Sequence, residues 1–328
     1  MSTLNLSTPL DDYFDLKDIS AYKHLKAVTF LVLLLLNFFM FPFYVYVFKA
    51  NRVLDKEIPI FPFVNHFYSV IRMVQIIFLC MCTVIIFIIL AYTLRSTSLV
   101  ILTLAVMIFV VLSGIFVLIG TSETFNMLLF LLAITRAVIY FWPSNEKKIK
   151  TILIHIHKRV HYLYFAFITK TVIFFFVAMY MEWTDTNIWY ILPAFVSIQV
   201  LLHVLIFVSA ILHIPIMISI RKLSYLASAQ QNNPQRYILW QIISVLMFKL
   251  IALPYIIFGI FDIDYVLEII PFDCFLLPII VQISYLGCNR RNVETLLTSF
   301  HLKKFIQVLF DRQTAVNPLS TTDQSTRF

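Results

Sequence analysis

Four ionisable residues interrupt long apolar runs of this chain: Glu123, Lys170, Lys249 and Asp273. An unpaired charge inside hydrocarbon costs at least about 2.5–3.5 kcal/mol, so such residues pair, face a wet cavity or hold a ligand. Lys249 lies five residues before Pro254, and Asp273 five before Pro278. Equal depth and opposite sign on adjoining helices favour a salt bridge between them, with a ligand contact as the alternative. Glu123 and Lys170 allow the same two uses, an internal pair or a ligand contact. Arg136 is a fifth charge, in Leu132 to Pro143 (LAITRAVIYFWP), where an apolar helix reaches its end. Pro143 stops that helix, and Lys147, Lys148 and Lys150 follow. An arginine so placed either snorkels to the interface or faces a polar cavity.

Catalytic chemistry finds no footing. There is no nucleophile elbow, zinc-protease helix, P-loop or acyltransferase-like pairing of histidine with aspartate. His157 and His161 form an i,i+4 pair beside His155, at metal-ligand spacing. They stand at a basic helix end, where solvated or lipid-facing histidines are the rule, so no metal is assigned. The chain is read as a non-enzyme without a cofactor.

The class of protein follows from composition. Hydrophobic residues make up 61% of the 328, charged residues 13%, and the mean hydropathy is +0.91. A soluble domain of this length would be nearer half apolar and a quarter charged. Only four glycines stand against 33 phenylalanines, which excludes a barrel of short strands with turn glycines. Backbone polar groups in lipid must be satisfied internally, which leaves an all-α bundle of membrane helices. The net charge of +8 reads as topology rather than as nucleic-acid binding, because of where the charges fall.

The layout expected is a tail over residues 1–26, a membrane domain over 27–287, an amphipathic juxtamembrane segment over 288–312 and a disordered tail over 313–328. The first span runs from about Ala27 to Phe48, followed by a basic loop with Lys49, Arg52 and Lys56. Apolar density then continues from about Val70 to Pro143, broken at Tyr92–Ser98 and at Gly120–Asn126. A hydropathy window would cut this region into three spans. Two spans, the second a helix of about 34 residues starting near Ile108, keep both basic loops on one side and place Glu123 inside a helix. The fourth span is about Val160–Met181, the fifth Ile188–Ile220, the sixth Tyr237–Phe261 and the seventh Tyr265–Gly287.

Lysine and arginine counts orient the bundle. Eighteen of the 25 fall in the segments this layout puts inside, and four outside. By the positive-inside rule the amino terminus is extracellular and the carboxyl terminus cytoplasmic, at the plasma membrane. Asn5-Leu6-Ser7 is a glycosylation sequon on the outer tail. The four cysteines avoid the outer loops, so no loop-stapling disulfide is expected. Cys288, at an inner helix end, is a candidate for acylation.

Two prolines mark pivots. Pro254, followed by Tyr255, falls inside the sixth span, and Pro278 inside the seventh. A proline within a helix removes one hydrogen bond and bends the axis. Beyond Gly287, two apolar stripes (Val293, Leu296, Leu297, Phe300, then Leu302, Phe305, Ile306, Leu309) suggest two short interfacial helices with Lys303 and Lys304 at anionic headgroups.

Leu132–Pro143 resembles the cytoplasmic end of the third helix of seven-helix receptors, with Thr135 where those carry an acid and Ala137 where they carry a tyrosine. Ile251–Tyr255 resembles their sixth-helix kink. Asn-Pro-x-x-Tyr is absent, since Leu277 precedes Pro278 and Val281 replaces the tyrosine. Together with Pro59–Tyr68 (PIFPFVNHFY) and Ile283–Asn289 (ISYLGCN), the pattern over Tyr44–Leu296 resembles the nematode serpentine chemoreceptors of class Z. That resemblance implies a seven-transmembrane bundle and a G-protein-coupled chemosensory receptor. Its partners would be a small-molecule or peptide ligand outside and a heterotrimeric G protein inside. Arg136, Thr135 and Pro143 would serve coupling. A small multi-pass transporter or channel is the alternative, although the two related halves and broken helices of transporters are not visible.

Overall fold

The computed structural model describes residues 9–56, 61–93, 97–142, 146–186, 192–223, 240–247, 250, 263–288, 290–297 and 302–310. The helices are α1 (Pro9–Asp55), α2 (Phe61–Thr93), α3 (Thr97–Phe141), α4 (Glu146–Trp183) and α5 (Leu192–Leu223). Then come α6 (helical over 240–247), α7 (Ile263–Cys288), α8 (Arg290–Leu297) and α9 (Leu302–Phe310). Among the described residues there is no strand.

Five of these helices, α1 to α5, are long and apolar enough to cross a membrane, and α7 adds the apolar segment Pro271–Gly287. Their surfaces are inverted relative to a soluble protein. Phe39, Ile86, Phe109 and Phe165 lie open, at 63–74% exposure, while Asn37, Gln75, Gln241 and Gln282 are at most 2% exposed.

 Individually the exposures are 65% for Phe39, 63% for Ile86, 74% for Phe109 and 71% for Phe165. Apolar side chains outside and amides inside are the arrangement that lipid stabilises and water does not.

Neighbouring helices run antiparallel. Tyr44 of α1 meets Tyr68 of α2, and Phe67 of α2 meets Phe125 of α3. Phe116 of α3 reaches Phe175 of α4, and Phe174 of α4 stacks on Phe195 of α5. α1 and α7 instead run parallel: Phe30 stacks on Phe272 and, further along both, Tyr44 packs edge-on against Tyr285. Two parallel spans of one chain require an odd number of crossings between them, of which α2 to α5 supply four among the described residues. The Asp55 end of α1 and the Cys288 end of α7 therefore share one face. His66, early in α2, sits beside His157, early in α4, so the Lys49 and Lys147 segments belong to that face as well.

Several limits differ from the sequence expectation. The two-span reading of the region before Pro143 holds, but α3 starts at Thr97, not near Ile108. The polar break at Tyr92–Ser98 is the connection between α2 and α3, whereas Gly120–Asn126 stays helical because its polar side chains point into the bundle. At about 1.5 Å per residue, α3 is about 68 Å long. α2 begins at Phe61, well before Val70, with Pro62 in its first turn, where a missing N–H leaves no bond unmade. Arg72 is thus within α2. α1 extends back to Pro9, into the segment expected as a tail. α4 closes after Trp183 through Asp185 in the left-handed region (φ 50°), with the Thr186 N–H donating to Met181 O at 2.9 Å and the Asp185 N–H to Glu182 O at 3.3 Å, the pairing of a Schellman turn.

The main core lies toward the Asp55 face. Phe48 stacks on Tyr68 with centroids 3.9 Å apart, and Phe67, Phe125, Leu128, Leu129, Leu132 and Val281 fill the space around them. A second cluster, Val70, Val74, Phe78, Leu118 and Cys274, continues toward the other end.

Candidate functional site

α3 passes close to α4 at Gly120. A Cβ there would stand 2.5 Å from Ile168 Cγ1 and 3.2 Å from the Ile168 backbone nitrogen. Only glycine admits that approach, and one turn further along α3 it brings Glu123 against Lys170. The two form an ion pair, and Gln199 of α5 donates its Nε2 hydrogen to the same carboxylate oxygen, Oε1. Glu123 is 3% exposed and the Lys170 side chain 20%. The Lys170 ammonium also stands 4.8 Å from the centroid of Phe195, a cation–π distance. Glu123 Oε2 has no hydrogen-bond partner among the described residues. Three helices are thus joined around one carboxylate.

Gln199 was missing from the sequence reading. The signal was available: one amide in an otherwise apolar stretch of a membrane helix needs a partner on another helix. Asp273 faces a small cavity of about 10 Å³ between α3, α6 and α7, shared with Ser122, Asn126 and Val245. Lys249 lies outside the described residues, as do Pro254, Tyr255, Pro143 and Asn5. Pro278 is inside α7. It cannot donate to the Cys274 carbonyl, and beside that site Asn37 of α1 donates to Phe275 O at 2.8 Å. Gln75 of α2 in turn donates to Asn37 O at 3.2 Å.

Further along, toward the C-terminal end of α3, Arg136 is half-buried. Thr135 gives its hydroxyl hydrogen to Leu131 O at 2.6 Å, within its own helix, so it does not stand in for an acid beside the arginine. Near by, Leu131, Ile152, Ile156 and Leu163 line a groove of about 620 Å³ together with His155, Arg159 and Tyr162. His157 packs against Phe63 and His66, and His66 Nε2 lies 3.0 Å from Tyr164 Oη. No group of three metal-ligating residues exists among the described ones.

A second polar cluster, also absent from the sequence reading, ties α1 to α7 and α8. Tyr285 donates its hydroxyl hydrogen to Asp55 Oδ2 at 2.7 Å, and Arg291 pairs with Asp55 Oδ1. Asn51 Nδ2 donates to Asn292 Oδ1 at 2.8 Å, and Asn292 Nδ2 to Tyr285 O at 2.7 Å. Lys49 Nζ donates to Val308 O of α9 at 2.7 Å. Phe305 packs against Phe43 and Tyr46. The two short helices expected after Gly287 are present as α8 and α9, and α9 is docked on α1 through Phe305 and Val308.

No curated protein and no solved structure matches this chain. Residues 27–290 match the family described as serpentine type 7TM GPCR chemoreceptor Srz. That match covers the helices carrying the Glu123 cluster and, of the second cluster, Asn51, Asp55 and Tyr285 but not Arg291, Asn292 or Val308, and it agrees with the parallel course of α1 and α7. The chain belongs to the Srz family of serpentine seven-transmembrane chemoreceptors.

Proposed function

We propose that the protein detects an extracellular chemical and passes the signal to a heterotrimeric G protein at its cytoplasmic face. The observation that carries this reading is the charged cluster of Glu123, Lys170 and Gln199, buried where α3, α4 and α5 meet. An ion pair at that depth is a sensitive element. Any ligand group that competes for either partner changes how the three helices pack. Along α3, Arg136 is thirteen residues beyond Glu123, about 20 Å of helix, so the same rigid rod links the cluster to the coupling end. Arg136, with Thr135 and Pro143, forms the coupling end; Pro254, Tyr255 and Pro278 are the pivots. The Lys/Arg distribution supports an extracellular amino terminus and a cytoplasmic carboxyl terminus.

The test is a G-protein reporter in cells expressing the wild type or Arg136→Ala at equal surface density, screened against a panel of volatile and water-soluble chemicals. A response in the wild type that disappears in Arg136→Ala supports the reading. Equal responses in both would reduce Arg136 to a marker of topology.

A further inference from the structure

The Lys170 ammonium pairs with the Glu123 carboxylate and stands over the Phe195 ring, 4.8 Å from its centroid, with the Phe167 ring centroid 5.9 Å away. A carboxylate and aromatic faces are the groups that recognise an organic cation. We propose that Glu123, Phe195 and Gln199 form a recognition site for a ligand's protonated amine, with Lys170 as the site's tethered occupant. The proposal rests on the receptor reading only for where the amine comes from; the binding chemistry stands apart from it.

Three observations favour an amine over an anion. Glu123 is the fixed member, 3% exposed, whereas Lys170 is the more accessible partner on a flexible stem. Exchange therefore replaces the cation. Glu123 Oε1 already accepts from both Lys170 and Gln199, while Oε2 has no partner among the described residues. A second N–H donor has an acceptor waiting; an incoming carboxylate has none of its own to give. Phe195 is stacked against Phe174 with centroids 4.1 Å apart, which fixes the ring whose negative face would repel an anion.

An amine that takes the Lys170 position frees α4 from α3 at the point where Gly120 lets them touch. Ligand entry and helix release then become one event, because the ligand competes with an internal ligand rather than filling an empty pocket.

The experiment uses the full chain, purified in lipid nanodiscs, with n-butylamine as probe. Lys170→Ala removes the tethered ammonium and its stem. Its melting temperature should fall, and millimolar n-butylamine at neutral pH should raise it again by several degrees through binding to the folded state. n-Butanol, equal in length but uncharged, and butyrate, opposite in charge, should not. Adding Glu123→Gln should abolish the recovery. Should Lys170→Ala not fold, Lys170→Ser serves in its place, since serine can bond its own helix carbonyl. Equal recovery by butanol, recovery by butyrate, or no recovery by the amine overturns the proposal. No G protein takes part, so a failure here leaves the signalling assay standing, and amine binding without any signalling would sink the receptor reading alone.

Discussion

Glu123 on α3 and Lys170 on α4 form an ion pair inside the apolar bundle, and Gln199 on α5 completes it. Breaking such a pair from one side leaves the other charge without compensation, at about 3 kcal/mol. Lys170, being partly exposed, recovers some of that by solvation.

Glu123→Gln and Lys170→Met should therefore each lower thermal stability and surface expression. Lys170→Met should be the worse of the two, because it strands the more deeply buried charge. The double variant should recover much of the loss. Strictly additive losses in a thermal-unfolding cycle would show that the two side chains do not interact.

The helix approach at Gly120 makes a sharper prediction. Gly120→Ala must push Ile168 and the α4 backbone aside, and overpacking of this kind costs about 1–3 kcal/mol. At Gly287 an added Cβ meets nothing within 4 Å, so Gly287→Ala should be neutral or slightly stabilising. Melting temperatures of the two variants, measured side by side, should differ in that order. Equal values would place α4 further from α3 than described.

Tyr285→Phe tests the join between α1, α7 and α8. It removes a hydrogen bond to a charged acceptor, worth about 1.5–3 kcal/mol, and leaves Arg291 as the partner of Asp55. A measurable loss of stability is expected, smaller than that of Asp55→Ala, which removes the Tyr285 hydrogen bond and the Arg291 ion pair together. If Tyr285→Phe unfolds at the wild-type temperature, the Tyr285–Asp55 bond contributes nothing.

The all-α class, the two-span course of the region before Pro143 and the helical setting of Glu123 were legible in the sequence, because apolar runs longer than a bilayer is thick allow little else. Helix ends were less so. α2 and α3 continue past their apolar segments through Asn65, Arg72 and Thr97, and hydropathy measures what lipid tolerates rather than where hydrogen bonding stops. The partnership of Glu123 with Lys170 was left open, since spacing along the chain does not reveal which faces of two helices meet. Gln199, Asp55 and Asn292 went unread for a related reason: each is unremarkable until its partner on another helix is known. The pairing expected between Lys249 and Asp273 remains a proposal, with Lys249 outside the described residues and Asp273 facing the small cavity beside Ser122 and Asn126.

The central claim, a receptor whose amino terminus faces outward and whose basic face meets a G protein, is tested most directly by mapping the termini. An epitope tag placed before Ser7 should stain on intact cells, and one placed after Asp323 only after permeabilisation. Both tags staining without permeabilisation would contradict the account, because an even number of crossings cannot carry a signal from an outer amino terminus to an inner carboxyl end.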